Sequence, residues 1–133
     1  MKIIYDAIKS NKNFTGDYKF REQIQSAAVS IMSNIAEGFS RRSTKEFIQF
    51  LFIAKGSTAE VQSQLYVALD QRYINQEKFN ELYSKSDEIA RLLSGFIQYL
   101  LKSERQTQRT QGMQMTQRTQ GTPRTEEEWS KGG

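Results

Sequence analysis

The stretch Ser33–Ser57, SNIAEGFSRRSTKEFIQFLFIAKGS, decides the fold because it ends one helix and begins another. Gly38 lies where the first of these helices should stop, since the residue just past a helix end often adopts a left-handed conformation that costs glycine nothing. Ser43 and Glu46 have the spacing of a capping box, in which each side chain accepts a hydrogen bond from an otherwise unpaired amide. The stretch therefore predicts two helices joined by a short turn that contains two arginines.

Apolar residues recur at intervals of three and four on both sides of this turn, the pattern of amphipathic helices. Asp17 and Asn75 are the predicted N-caps of the helices that follow them. Short connections make consecutive helices antiparallel. The predicted fold is all-α, an antiparallel up-down four-helix bundle of residues 1–102 with a short or truncated first helix. Its helices are expected at about residues 2–12, 18–37, 44–71 and 76–102.

The third and fourth predicted helices carry more apolar surface than one small bundle uses. The third has Ile48, Phe52 and Leu69 beside its main stripe, and the fourth has a second apolar flank (Tyr83, Leu92, Ile97, Tyr99 and Leu101). A second apolar face on a helix needs a second partner. This pattern favours a homo-oligomer.

The chain changes character after Lys102. Residues 103–133 contain no Leu, Ile, Val or Phe, and the sequence TQRTQG occurs there twice, at 107–112 and 116–121. A segment that cannot bury apolar surface does not fold alone. It is expected to be a disordered polar extension, and the alternative is a basic arm that touches phosphates.

Composition excludes several classes of function. The 133 residues include neither cysteine nor histidine, which removes thiolate metal sites and the usual proton shuttle at neutral pH. We therefore expect no enzyme, no cofactor and no metal site. No apolar run is long enough to cross a bilayer and the N-terminus is not a secretory signal, so a cytoplasmic protein without a membrane partner is expected.

A basic cluster gives the strongest functional hypothesis. Arg41, Arg42 and Lys45 crowd the start of the third helix, with Lys55 further along, and the net charge is +4. Like charges at the positive end of a helix cost stability, which suggests an anionic partner. That partner is either intramolecular, Glu37 and Glu46, or the phosphates of a nucleic acid. Nothing resembles a base-reading motif, so any binding is expected to be independent of sequence.

Three other residues have structural and functional alternatives. Asn34 is expected to make a buried hydrogen bond between helices in preference to a ligand contact. Glu37 is expected to form a salt bridge, because an acid–base pair with Glu60 would lack a nucleophile nearby. Gly56 costs roughly 1 kcal/mol in mid-helix relative to alanine. It is expected to permit a close helix crossing, and phosphate approach is the alternative.

Several short segments together resemble a known family. They are NIAEG at 34–38, the Arg41–Arg42 pair, KEFIQFL at 45–51 and IAKGS at 53–57. The likeness covers roughly residues 3–101 and identifies the chain as similar to the four helix bundle proteins, also known as 23S rRNA intervening-sequence proteins. Members usually have a longer first helix, and the tail beyond residue 102 has no counterpart among them.

The resemblance implies a ring-like homopentamer without established enzymatic activity, for which nucleic-acid binding is the usual suggestion. A distantly similar bundle is the accessory protein of diversity-generating retroelements, which binds nucleic acid and works with a reverse transcriptase. RNA or DNA, and a protein such as a reverse transcriptase, are therefore the partners that the resemblance implies.

Overall fold

The structure is a computed structural model that describes the backbone of residues 2–118 and the side chains of residues 2–110 and 112. Every regular element in this part of the chain is helical, which confirms the predicted all-α bundle. The helices are α1 (Lys2–Lys9), α2 (Lys12–Gly16), α3 (Tyr18–Ser40), α4 (Thr44–Asp70) and α5 (Gln76–Arg118).

Three predicted N-caps start the long helices. Asp17 accepts a hydrogen bond from the amide of Phe20 at 3.2 Å, and Ser43 Oγ accepts one from the amide of Glu46 at 3.4 Å. Asn75 Oδ1 accepts one from the amide of Lys78 at 2.8 Å. Each bond satisfies an amide that the helix leaves without a partner. Local side-chain chemistry therefore fixes where α3, α4 and α5 begin.

The first helix is shorter than the predicted range 2–12, and a separate one-turn helix follows it. α1 ends at Lys9, and Asn11 then caps the one-turn helix α2 by accepting hydrogen bonds from the amides of Asn13 and Phe14 at 2.9 and 3.0 Å. This turn brings the ring of Phe14 into the core, where it is 1% exposed. The segment between the first two predicted helices thus contains a capped helical turn.

The core lies in the compact unit that ends at Ile97. α3 and α4 form its most extensive helix pair. α4 buries Leu51, Ala54, Leu65 and Ala68 almost completely. Leu65 and Ala68 belong to a cluster that residues of α1, α2, α3 and the start of α5 complete. Two small side chains meet at the α3–α4 pair, where the hydroxyls of Ser30 and Ser57 are 2.8 Å apart.

α5 extends beyond its predicted end. The helix continues from residue 102 through Arg118, so its boundary is corrected to that residue. Glutamine, arginine, methionine and glutamate are good helix formers even where no core is available. The hydroxyls of Thr107 and Thr110 each donate a 3.0 Å hydrogen bond to the carbonyl four residues earlier. The disorder expected at residues 119–133 concerns residues outside the described part of the chain.

Candidate nucleic-acid interface

The turn between α3 and α4 is short and largely extended. Arg41 follows the last residue of α3 with φ −81° and ψ 147°, and its amide donates to the carbonyl of Gly38 at 3.2 Å. Ser43 is also extended, with φ −92° and ψ 129°. Arg41 and Ser43, the extended residues on either side of Arg42, thus connect the end of α3 to the start of α4. We call Arg41, Arg42 and Lys45 the basic corner.

Gly38 makes this corner possible, although not in the predicted way. It lies inside α3 and is buried, and its φ is not positive, so it is not a left-handed cap. A Cβ atom at this position would lie 2.7 Å from Cδ1 of Phe47 and 3.2 Å from Cβ of Phe50. The glycine is needed because the start of α4 packs directly on its backbone.

At Gly56, unlike Gly38, no other part of the described chain comes close to the backbone. The prediction of a close crossing at Gly56 is wrong within the described chain, because a Cβ atom there would meet no atom within 4 Å. The residue is exposed on the side of α4 away from the core. The close approach expected at Gly56 occurs at Gly38 instead.

Arg41 is held by its own chain. Its guanidinium forms an ion pair with Glu37, one turn earlier on α3, and its Cζ lies 5.0 Å from the centroid of the Phe50 ring. The pair is half-exposed, so it contributes little stability but fixes the direction of the side chain. Glu37 therefore occupies a structural position beside the corner.

Arg42 and Lys45 are placed differently. Both side chains are exposed, and neither forms a hydrogen bond or an ion pair with any residue between 2 and 110. Glu46 does not neutralise them, and its carboxylate does not accept the second bond of the predicted capping box within that range. Two cations at the N-terminal end of α4 thus have no partner among the described side chains, where the helix itself already attracts anions.

Lys55 is separate from the basic corner. It is exposed, but at 1.5 Å per residue it lies about 15 Å further along α4 than Lys45. The structure brings three of the four predicted cations together and leaves the fourth apart. Lys102, Arg105 and Arg109 share one face of the later part of α5 and line a depression of their own.

Aromatic rings lie beside the corner, a feature that the sequence interpretation missed. Phe39, Phe47 and Phe96 contact one another, with ring centroids 4.8 Å apart for Phe39–Phe47 and 5.4 Å for Phe47–Phe96. Phe39 is nevertheless 64% exposed. A signal was present in the sequence, since Phe39 falls outside the buried stripe of α3 and only two positions before the arginine pair.

Asn34 has a structural position, but it does not itself bridge two helices. Its Nδ2 donates to the carbonyl and to Oγ of Ser30 in its own helix, at 2.8 and 3.0 Å. The link between α3 and α4 is the 2.8 Å hydrogen bond between the hydroxyls of Ser30 and Ser57. Asn34 thus orients the serine that makes the predicted contact between helices.

Among the described residues, no group of three carboxylates is arranged to hold a metal ion. No helix in the same part of the chain is long and apolar enough to cross a membrane. The features that distinguish the surface around the basic corner are the exposed cations Arg42 and Lys45 and the exposed ring of Phe39.

The fold and this surface define an all-α bundle with a basic corner between its two most closely packed helices. The chain belongs to the 23S rRNA-intervening sequence protein family, whose family model matches residues 1–95. It is also similar to a crystal structure from Bacteroides thetaiotaomicron VPI-5482, a protein of unknown function from the S23 ribosomal protein family. That protein is 26% identical, with a TM-score of 0.63, and the match covers 72% of this chain and 92% of that one. No curated protein matches the sequence.

Proposed function

We propose that this protein is a non-enzymatic, homo-oligomeric accessory or scaffold protein that binds nucleic acid through the phosphate backbone. The observation that carries the proposal is the absence of an intramolecular partner for Arg42 and Lys45 among the described residues. Cations at the start of a helix are repelled by the partial positive charge of the helix end and by each other. A bound anion would relieve this repulsion. RNA and DNA both supply such anions.

Phosphate contacts account for affinity but carry no sequence information. The corner has two unpaired cations, and a ligand that touches only these would bind weakly. An assembly of several copies multiplies the number of corners, and linked contacts raise the overall affinity without any new interaction. The homopentamer that the family resemblance implies would present such a repeated basic surface.

An exposed apolar surface on α4 supports assembly. Phe52, Ile53, Tyr66 and Val67 are between 44% and 53% exposed, and Gly56 lies between them along the helix. We call these five residues the outer face of α4. Large apolar side chains grouped on one helix face are typical of an interaction surface. In this proposal a second copy of the chain covers the outer face.

The same surface favours a second candidate from a different class, a purely structural assembly module whose partner is a protein. In that case the outer face of α4 carries the function and the basic corner only keeps the surface charged. The two candidates differ in whether Arg42 and Lys45 matter for binding to nucleic acid.

Fluorescence anisotropy with labelled RNA and labelled duplex DNA at low salt tests the proposal. The Arg42→Ala/Lys45→Ala double variant should bind both ligands at least about tenfold more weakly, because two charge-assisted contacts per corner are lost. Lys19→Ala/Lys85→Ala is the matched control, since these lysines are also exposed and removing them changes the net charge equally. Equal affinities for the wild type and both variants would favour the structural module.

A further inference from the structure

The Phe39 ring is exposed and yet held in place. It is 64% exposed, and its centroid lies 4.8 Å from that of Phe47 and 6.3 Å from that of Phe96. Phe47 and Phe96 support each other edge to face, with an interplanar angle of 84°. A ring packed on one side loses little conformational freedom when a planar group stacks on the other side. Phe39 is therefore prepared for such a contact.

Two exposed cations also follow the ring closely in the chain. Phe39 is in the last turn of α3, and the unpaired cations Arg42 and Lys45 follow directly in the turn and the start of α4. Arg41 lies between Phe39 and these two cations in the chain, and its charge is already paired with Glu37. An aromatic face beside unpaired cations matches a ligand that has a flat apolar part next to a phosphate. A nucleotide has both.

We propose that the preferred ligand of the basic corner is a single-stranded nucleic acid, with one base stacked on Phe39 and the adjoining phosphates on Arg42 and Lys45. This inference rests on the nucleic-acid binding proposed above. In a duplex the bases stack on one another and are not available to a protein ring, so a duplex gains only the phosphate contacts. A single strand gains the stacking contact as well, and this combination is how proteins bind single strands without reading their sequence.

Anisotropy with a labelled oligouridine and a duplex of equal phosphate number tests this inference. Wild type should bind the single strand more tightly than the duplex. Phe39→Leu should weaken single-strand binding about tenfold and leave duplex binding unchanged, because one base stack is lost. Tyr18→Leu is the matched control, since Tyr18 is an exposed aromatic residue at the other end of α3, beside Arg21. It should change neither affinity.

A second variant gives a direct optical readout. Trp129 is the single tryptophan of the sequence. In a Phe39→Trp/Trp129→Phe variant, oligouridine should quench tryptophan emission by stacking, and the duplex should not.

The outcomes separate the two proposals. Equal wild-type affinity for single strand and duplex, or quenching by neither ligand, would overturn the stacking inference and leave phosphate binding intact. Loss of oligomer mass by light scattering in Phe39→Leu would mean that a second copy covers the ring, which also overturns it. No binding of either ligand by the wild type would overturn the proposed function itself.

Discussion

The hydroxyl of Tyr73 donates a 2.6 Å hydrogen bond to Oδ2 of Asp17, which joins the α4–α5 turn to the start of α3. The other carboxylate oxygen caps α3 through the amide of Phe20. The ring of Tyr73 also stacks on the buried ring of Phe14, with centroids 5.1 Å apart. One carboxylate thus starts a helix and fastens two distant segments. The bond from Tyr73, followed by that from Phe20, holds the pKa of Asp17 below its ordinary value.

Tyr73→Phe should therefore destabilise the protein in a pH-dependent way. Because the pKa of Asp17 is lowered, the ionised carboxylate stabilises the fold fully above the ordinary aspartate pKa of about 3.9. This stabilisation is lost as the pH falls through the lower pKa that Asp17 has in the folded protein. The same bond, with burial, raises the pKa of Tyr73, so its contribution is present below about 10 and lost as pH rises through the folded-state value.

Urea unfolding at several pH values measures this effect. The midpoint of Tyr73→Phe should be lower than that of wild type near neutral pH, and the difference should shrink in acid and in strong base. Tyr5→Phe is a control, because the Tyr5 hydroxyl forms no hydrogen bond with residues 2–110. A difference that stays constant across the pH range would show that the Asp17 bond does not stabilise the fold.

Gly38→Ala should lower the free energy of unfolding by up to about 2 kcal/mol. The new methyl group would clash with Phe47, and over-packing costs about 1–3 kcal/mol against a helix-propensity gain of about 1 kcal/mol. Gly95→Ala has the opposite expectation, since a Cβ atom there meets nothing within 4 Å and only the propensity gain remains. Urea unfolding of both variants is the measurement. Stabilisation by Gly38→Ala would contradict the close α3–α4 contact.

Ile53→Glu should dissociate the assembly. In the proposed oligomer this residue of the outer face of α4 is buried, and burying a carboxylate without a partner costs several kcal/mol. Light scattering should show a smaller mass than for wild type, while circular dichroism remains helical because Ile53 is exposed in the single chain. Gln23→Glu introduces the same charge change at an exposed position of α3 and should keep the mass. An unchanged mass for Ile53→Glu would remove the outer face from the interface.

Elements set by local chemistry were predictable from the sequence. Asp17, Ser43 and Asn75 were identified as caps because a cap bonds an amide only three residues away, which the sequence itself displays. The all-α bundle followed from helical periodicity for the same reason. The cap at Asn11 was missed because α2 is a single turn, too short to show any periodicity.

Features that depend on a neighbouring helix were not predictable in the same way. The sequence predicted a helix end at Gly38 and a close crossing at Gly56, and only the packing of Phe47 on α3 shows that the close contact lies at Gly38. The site was predictable in part. The sequence located the cations, but it could not show which of them Glu37 pairs with, namely Arg41, or that Arg42 has no ion pair with residues 2–110. Nor could it show that the ring of Phe39 is exposed.

The salt dependence of RNA binding tests the central claim most directly. Each phosphate contact to a single strand contributes about 0.7 to the slope of log affinity against log salt concentration. The proposal predicts that Arg42→Ala/Lys45→Ala weakens binding and flattens this slope by about 1.4 per engaged corner, while Lys19→Ala/Lys85→Ala leaves the slope as in wild type. The same slope for the Arg42→Ala/Lys45→Ala variant and the wild type would contradict phosphate binding at the basic corner.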